Sequence, residues 1–399
     1  MASRVKQPAA AAAYSPEGRL RDYTKKTASK PAPFDLPFLL LVILLLGVGV
    51  IMVLSASFPS AYYGTESGGN PSYYFFRQMI FAVSGVILML VASRVRTETL
   101  RRFALPLLIL SVVLMILVAI PGIGVRANGA RRWLSLGFTT VQPSEIAKLA
   151  EILIFASMIC TFKTKMRTFR YGVLPFAGIM AILVGLLLRE PHLSASVIIL
   201  CVGISMMFLG GTRAGWFAGG AVVLVVGAVV ALTMFSHAIS RISAWQDPFA
   251  DAQGAGWQIV QSLYAIGSGG LLGVGLGQSR QKYLYLPEEH NDYIFAVICE
   301  ELGLVGALLI LALFAILIIR GFWIALHAKT RFGTLVAAGI TAMLAIQVFL
   351  NVAVVTNLLP ATGISLPFFS YGGTALWIQL IEMGIVLGIS REIPAKKAG

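Results

Sequence analysis

This sequence predicts an all-α polytopic membrane protein, on three observations. Hydrophobic residues fill 58% of its 399 positions and charged ones only 12%, far from the usage of soluble domains. The apolar residues gather in about ten runs, each near the ~20 residues a helix needs to cross hydrocarbon. Most of the 31 Lys and Arg residues fall in the N-terminal tail and in alternate loops, the pattern that marks one set of loops as cytoplasmic. A membrane thus accounts for the net charge of +14, and no nucleic-acid partner is required.

In chain order, residues 1–33 are polar, basic and rich in Ala, Pro and Ser, which reads as a disordered cytoplasmic tail. The run from Phe34 to about Ser57 is longer than a signal-peptide core, so an uncleaved first helix is predicted. Spans follow near 36–57, 74–92, 103–120, 144–160, 172–188, 193–210, 214–235, 293–319, 333–357 and 368–390. Together they form a membrane domain over 34–393, followed by a tail at 394–399, and the even count puts both termini in the cytoplasm. Cys160, Cys201 and Cys299 all lie in apolar runs, where an odd count offers neither a disulfide framework nor metal-ligand spacing.

Two loops predicted to be extracytoplasmic carry the unusual residues. The first, from about Pro121 to Pro143, contains GARRWLSLGFTTVQ and leads into PSEIAK. Arg131 and Arg132 stand where the positive-inside rule disfavours cations, so they need an anionic partner, either lipid phosphates or a bound diphosphate that an Arg fork would grip. Trp133 is then either an interfacial aromatic or a cover for a sugar face. Glu145 and Lys148 are three apart on one helix face, a spacing that also suits a plain ion pair.

The second loop, 236–292, is too long to be structureless and lies between helices seven and eight. It contains AIGSGGLLGVGLG, which lacks the Gly-Lys-Ser/Thr ending of a phosphate loop. Its glycines instead suit close backbone approach or a re-entrant bend. Arg280 and Lys282 follow, and then PEEHNDYIFAVICEELG, where Glu288, Glu289, Asp292, Glu300 and Glu301 make up five of the chain's 17 acids. Carboxylates at a membrane boundary are costly unless paired, hydrated or used. Asp292 is the candidate base, because Tyr293 opens the apolar run right after it and burial would raise its pKa. His290 reads either as a base or ligand, or as a hydrogen-bonding neighbour of the acids. Near the C-terminus, NLLPATGISLPFFSYGG, with Gly363 and Gly372 among its breakers, reads as a broken turn or an ordinary loop.

GARRW with QPSEIAK, AIGSGGLLGVGLG with LPEEHNDYIFAVICEELG, and NLLPATGISLPFFSYGG occur here in order, from about Phe34 to Ile393. As a set they resemble the SEDS family (shape, elongation, division and sporulation), which includes FtsW, RodA and SpoVE, and they look nearer to the division and sporulation branch. The resemblance implies a peptidoglycan glycosyltransferase of the bacterial cytoplasmic membrane. Such an enzyme polymerises lipid II outside the membrane, releases undecaprenyl diphosphate and works with a class B penicillin-binding protein among divisome or elongasome membrane proteins. It also implies that Asp292 is the essential acid and that Trp133, Glu145 and Lys148 are family site residues. Asn291 and Tyr293 stand where many relatives have Thr and Phe. The expectation is therefore Asp292 as base, Arg132, Lys148 and Lys282 toward the diphosphate, Arg280 as a further substrate-binding residue, and magnesium or manganese as an ion that suits carboxylates and phosphates. A lipid II flippase and a scaffold without catalysis are the alternatives. Acids and cations concentrated at one face, rather than along a path through the bilayer, favour the enzyme.

Overall fold

The computed structural model describes residues 34–65, 67–127, 130–135, 137, 139–222 and 236–393. The tails expected at 1–33 and 394–399, and the second half of the span expected at 214–235, lie outside these residues.

Asp35 starts the first helix, α1 (Leu36–Tyr63), by accepting from the Phe38 N–H at 3.0 Å, a side-chain cap on an orphan donor. The helices α2 (Tyr73–Ala92) and α3 (Thr97–Ala119) follow. A small antiparallel sheet comes next, which the sequence reading did not foresee: β1 (Gly124–Ala127), β2 (Ala130–Ser135) and β3 (Thr140–Val141), in the order β1-β2-β3. Pro143 then opens α4 (Pro143–Phe162) at the position where proline's missing N–H costs nothing. The helices α5 (Leu174–Arg189) and α6 (Leu193–Leu209) come next, and the long loop folds into α7 (Ser236–Gln246) and α8 (Trp257–Gly269). The chain closes with α9 (Ile294–His327), α10 (Arg331–Val355) and α11 (Gly373–Ser390).

Seven of the described helices are long and apolar enough to cross a membrane: α1, α2, α3, α5 with its leading turn from Phe169, α9, α10 and α11. α4 carries Glu145, Lys148 and Glu151, and α6 has only 17 residues; both lie where spans are predicted. α4, α10 and α11 are mostly buried, whereas α2, α3 and α9 leave apolar faces outward. In a chain of this composition those faces belong to lipid.

The glycine-rich loop lies against α9, which is broken at Gly303 (φ 67°). A break frees backbone groups that hydrocarbon cannot satisfy. Here the loop satisfies them: the N–H groups of Val274 and Gly275 donate to the Glu300 and Glu301 carbonyls, and those of Leu304 and Val305 donate to the Gly270 and Leu271 carbonyls, all at 2.9–3.1 Å. A Cβ on Gly273 would strike the Glu301 carbonyl, and one on Gly303 would strike the Gly273 nitrogen. Both positions have positive φ, so both the space and the conformation require glycine.

Candidate active site

Hydrogen bonds gather four connecting segments at one end of the bundle. Arg132 of β2 donates to the Pro191 carbonyl between α5 and α6, and Thr374 of α11 donates to the Thr140 carbonyl of β3. Trp245 of α7 donates to the Asn357 carbonyl after α10, and the Tyr371 N–H donates to the His290 carbonyl before α9. Asp292 sits among them.

The turn carrying Asp292 is held from within and from behind. The Asn291 amide donates to Glu288 Oε2 at 2.7 Å. Behind, Ser370 Oγ donates to the Asn291 carbonyl, and Asn351 Nδ2 donates to the carbonyls of Asp292 (2.8 Å) and Ile364 (2.6 Å). The NLLPATGISLPFFSYGG segment is thus the support of the acidic turn. Gly363 (φ +74°) lies directly against the carboxylate, since a Cβ there would come within 3.1 Å of Asp292 Oδ2. At Gly372 the backbone is extended and a Cβ meets only ordinary contact, whereas at Gly373 a Cβ would strike the Phe81 ring, so the motif needs Gly363 at the carboxylate and Gly373 at the start of α11.

Burial pushes the Asp292 carboxyl up to about 6; Glu288 adds to the rise, and Arg132 and His290 oppose it. Arg132 is half-buried, and its pKa is lowered by burial and by Arg241 against the attraction of Asp292 and Glu190. Burial, aided by Arg132 and Lys148, pushes His192 down to about 3, so it is a neutral imidazole at physiological pH. Its ring lies 3.3 Å from the Gln142 amide and 3.5 Å from Ser144 Oγ. His290 is boxed by the rings of Tyr74 (4.8 Å) and Tyr371 (5.9 Å), with Nδ1 3.3 Å from Glu289, which also accepts from Ser60. That placement makes it a neighbour of the acids.

The expected site residues divide into four groups. Asp292 and Arg132 come together. Glu145 and Lys148 form a 2.8 Å ion pair, with Lys148 buried, and the His192 ring feels both Lys148 and Arg132. Trp133 follows Arg132 on β2, opposite Val125, and because Arg126 pairs with Arg131, Arg132 is the extra residue of a β-bulge, where strict alternation of faces is broken.

The fourth group is Lys282, whose charge is already answered within the protein, and Arg280. Lys282 is 2% exposed, with its ammonium 2.8 Å from Glu301 Oε1 and 3.1 Å from Ser55 Oγ. Its charge is neutralised inside the protein. Arg280 is exposed, and its backbone N–H donates to Glu300 at 2.9 Å. Glu300 also accepts from Ser279 and the Gln281 N–H, and Glu301 from Ser55 and the Ser279 N–H. These two acids fasten the glycine-rich loop to the break in α9, and the residues just after that loop belong with them.

The sequence alone assigns no role to Glu190, His192 or Arg241. A signal existed: Arg189-Glu190-Pro191-His192 interrupts two apolar runs. Among the described residues no group of three or more His, Cys, Asp or Glu could hold a metal ion.

A family model described as cell cycle protein, covering FtsW, RodA and SpoVE, matches residues 36–394. The chain belongs to this family. It is 42% identical over 359 residues to a probable peptidoglycan glycosyltransferase FtsW of Trichlorobacter lovleyi, covering 90% of this chain and 93% of that one. It is also 42% identical to the stage V sporulation protein E of Bacillus subtilis, over 92% and 99% of the two chains. Among solved structures, it superposes with a TM-score of 0.74 on one described as structural coordination of polymerization and crosslinking by a peptidoglycan synthase complex, at 29% identity over 90% of this chain and 98% of that one. The rod shape determining protein RodA of Thermus thermophilus gives 0.66 at 26% identity, over 91% and 98%. The order of motifs from α1 to α11 is therefore the order of a family fold.

Proposed function

We propose that this chain is a peptidoglycan glycosyltransferase that joins lipid II units at the outer face of the cytoplasmic membrane and releases undecaprenyl diphosphate. The observation that carries the reading is Asp292: a carboxyl pushed up to about 6, beside Arg132, on a turn held by the Gly363 segment. A base near that value is mostly ionised at neutral pH and still takes a proton readily. Asp292 accepts the proton of the acceptor sugar hydroxyl as that oxygen attacks the donor anomeric carbon. Arg132, with Arg241 nearby, supplies positive charge where the diphosphate departs. One displacement inverts the anomeric carbon. Asp292 and Glu288 provide two carboxylates, a donor set that fits magnesium shared with substrate phosphates rather than a cage built by protein alone. Bound there, the ion would neutralise phosphate charge.

Purified protein incubated with lipid II in detergent tests the activity. Glycan strands are the expected product; their absence would leave the flippase reading, since detergent offers no second leaflet. The likeness to a peptidoglycan synthase complex supports a class B penicillin-binding protein as partner, tested by co-purification with candidate transpeptidases. Both termini in the cytoplasm is the proposed orientation. In a background lacking Cys160, Cys201 and Cys299, a cysteine at exposed Gly254 should react with an impermeant reagent outside intact cells, and one at exposed Lys329 should not. The reverse pattern would move the site to the wrong side of the membrane.

A further inference from the structure

Beside the Asp292 site lies a second carboxyl that the reaction above does not use. Glu190 follows the last residue of α5 and is 1% exposed, and neither of its carboxyl oxygens has a hydrogen-bond partner among the described residues. Arg132 is the cation that its charge feels. Arg132 Nη2 is taken by the Pro191 carbonyl, while Nε is buried and unpartnered. Donor and acceptor are thus near each other without forming an ion pair among the described residues. Buried polar groups are rarely left this way, because an unmade bond costs the full desolvation of the group.

We propose that Arg132 and Glu190 form a subsite for the acetamido group of an N-acetylated hexosamine, with Arg132 Nε donating to the acetyl oxygen and Glu190 accepting from the acetamido N–H. The proposal rests on the glycosyl-transfer reading and deepens it. A diphosphate would not complete this pair, for it carries acceptors only. Whether Glu190 is ionised or protonated, at least one of its oxygens needs a donor. Burial pushes the Glu190 carboxyl up to about 8 against the pull of Arg132. It is therefore mostly uncharged at neutral pH and does not repel an anionic substrate bound next to it. Asp292 also acts on Arg132, so the same guanidinium links the group that reads the sugar to the group that deprotonates it.

Binding of fluorescent lipid II to the full-length protein in detergent, with undecaprenyl diphosphate as competitor, tests this apart from turnover. Glu190→Ala should weaken lipid II about tenfold, the loss of one hydrogen bond. It should leave competition by undecaprenyl diphosphate unchanged, and Glu190→Gln, which keeps an acceptor oxygen, should stay within about threefold of wild type. Unchanged lipid II affinity in Glu190→Ala, or an equal loss for both ligands, would overturn the subsite. If Glu190→Ala does not accumulate, the wild-type protein answers with lipid II lacking its N-acetyl groups: about tenfold weaker binding supports the subsite, and equal binding removes it. A wild-type protein that binds lipid II yet makes no glycan would defeat the glycosyltransferase reading and still leave these comparisons readable.

Discussion

Asp292 and the pair Glu300 and Glu301 stand within a few residues of one another at the start of α9, yet the protein treats them in opposite ways. Around Glu300 and Glu301 every charge is answered, by Lys282, two serine hydroxyls and three backbone N–H groups. Around Asp292 the bonds go to the backbone of the turn, and the carboxyl keeps a raised proton affinity beside Arg132. Saturated acids hold a fold together; an acid fixed through its backbone but left electrostatically uneasy is available to chemistry.

The largest effect should separate the two regions by kind. Asp292→Asn should lower glycan polymerisation by roughly 10² to 10⁴-fold, the range for loss of a general base, while the protein accumulates normally. Near-normal strands from a well-expressed variant would remove Asp292 from the reaction and make Glu288 the next base to test. Lys282→Met should instead act on stability. Removing one partner of a buried ion pair costs about 3–5 kcal/mol, seen as a lower melting temperature in detergent and less protein in the membrane. Adding Glu301→Gln should recover much of that loss, since no buried charge is then left alone. A stable Lys282→Met protein with weakened lipid II use would return Lys282 to the substrate.

The pH profile sharpens the same contrast. As a base Asp292 must be unprotonated, so kcat/KM should be level above about 6 and fall roughly tenfold per unit below it. An acid limb near 4 would mean that the carboxyl is not shielded as the structure describes. The smallest effect lies in the supporting segment. Gly363→Ala places a Cβ beside Asp292 Oδ2 at a positive φ, a strain of about 1–2 kcal/mol, and should slow polymerisation several-fold. Gly372→Ala should leave it unchanged, and equal effects at both glycines would mean that the segment acts as a plain loop.

Much of this was legible in the sequence. Apolar runs of spanning length need no tertiary information, because lipid obliges each helix to satisfy its own backbone. For the same reason the glycine cluster and the C-terminal breakers could be read as places where backbone approaches backbone. Asp292 was legible from its position at the edge of an apolar run, where burial raises a carboxyl's pKa. Other features depended on which distant groups meet. Lys282 looked like a cation for the substrate until α1 and α9 brought Ser55 and Glu301 to it. Glu190 has no role in the sequence alone and acquires one only when β2 brings Arg132 beside it. Sequence by itself determines where charge is expensive, because that depends on the apolar surroundings along the chain. Only the tertiary structure decides which charges are answered, because a partner's distance depends on how the helices are arranged, and that difference distinguishes the clasp at Glu301 from the site at Asp292.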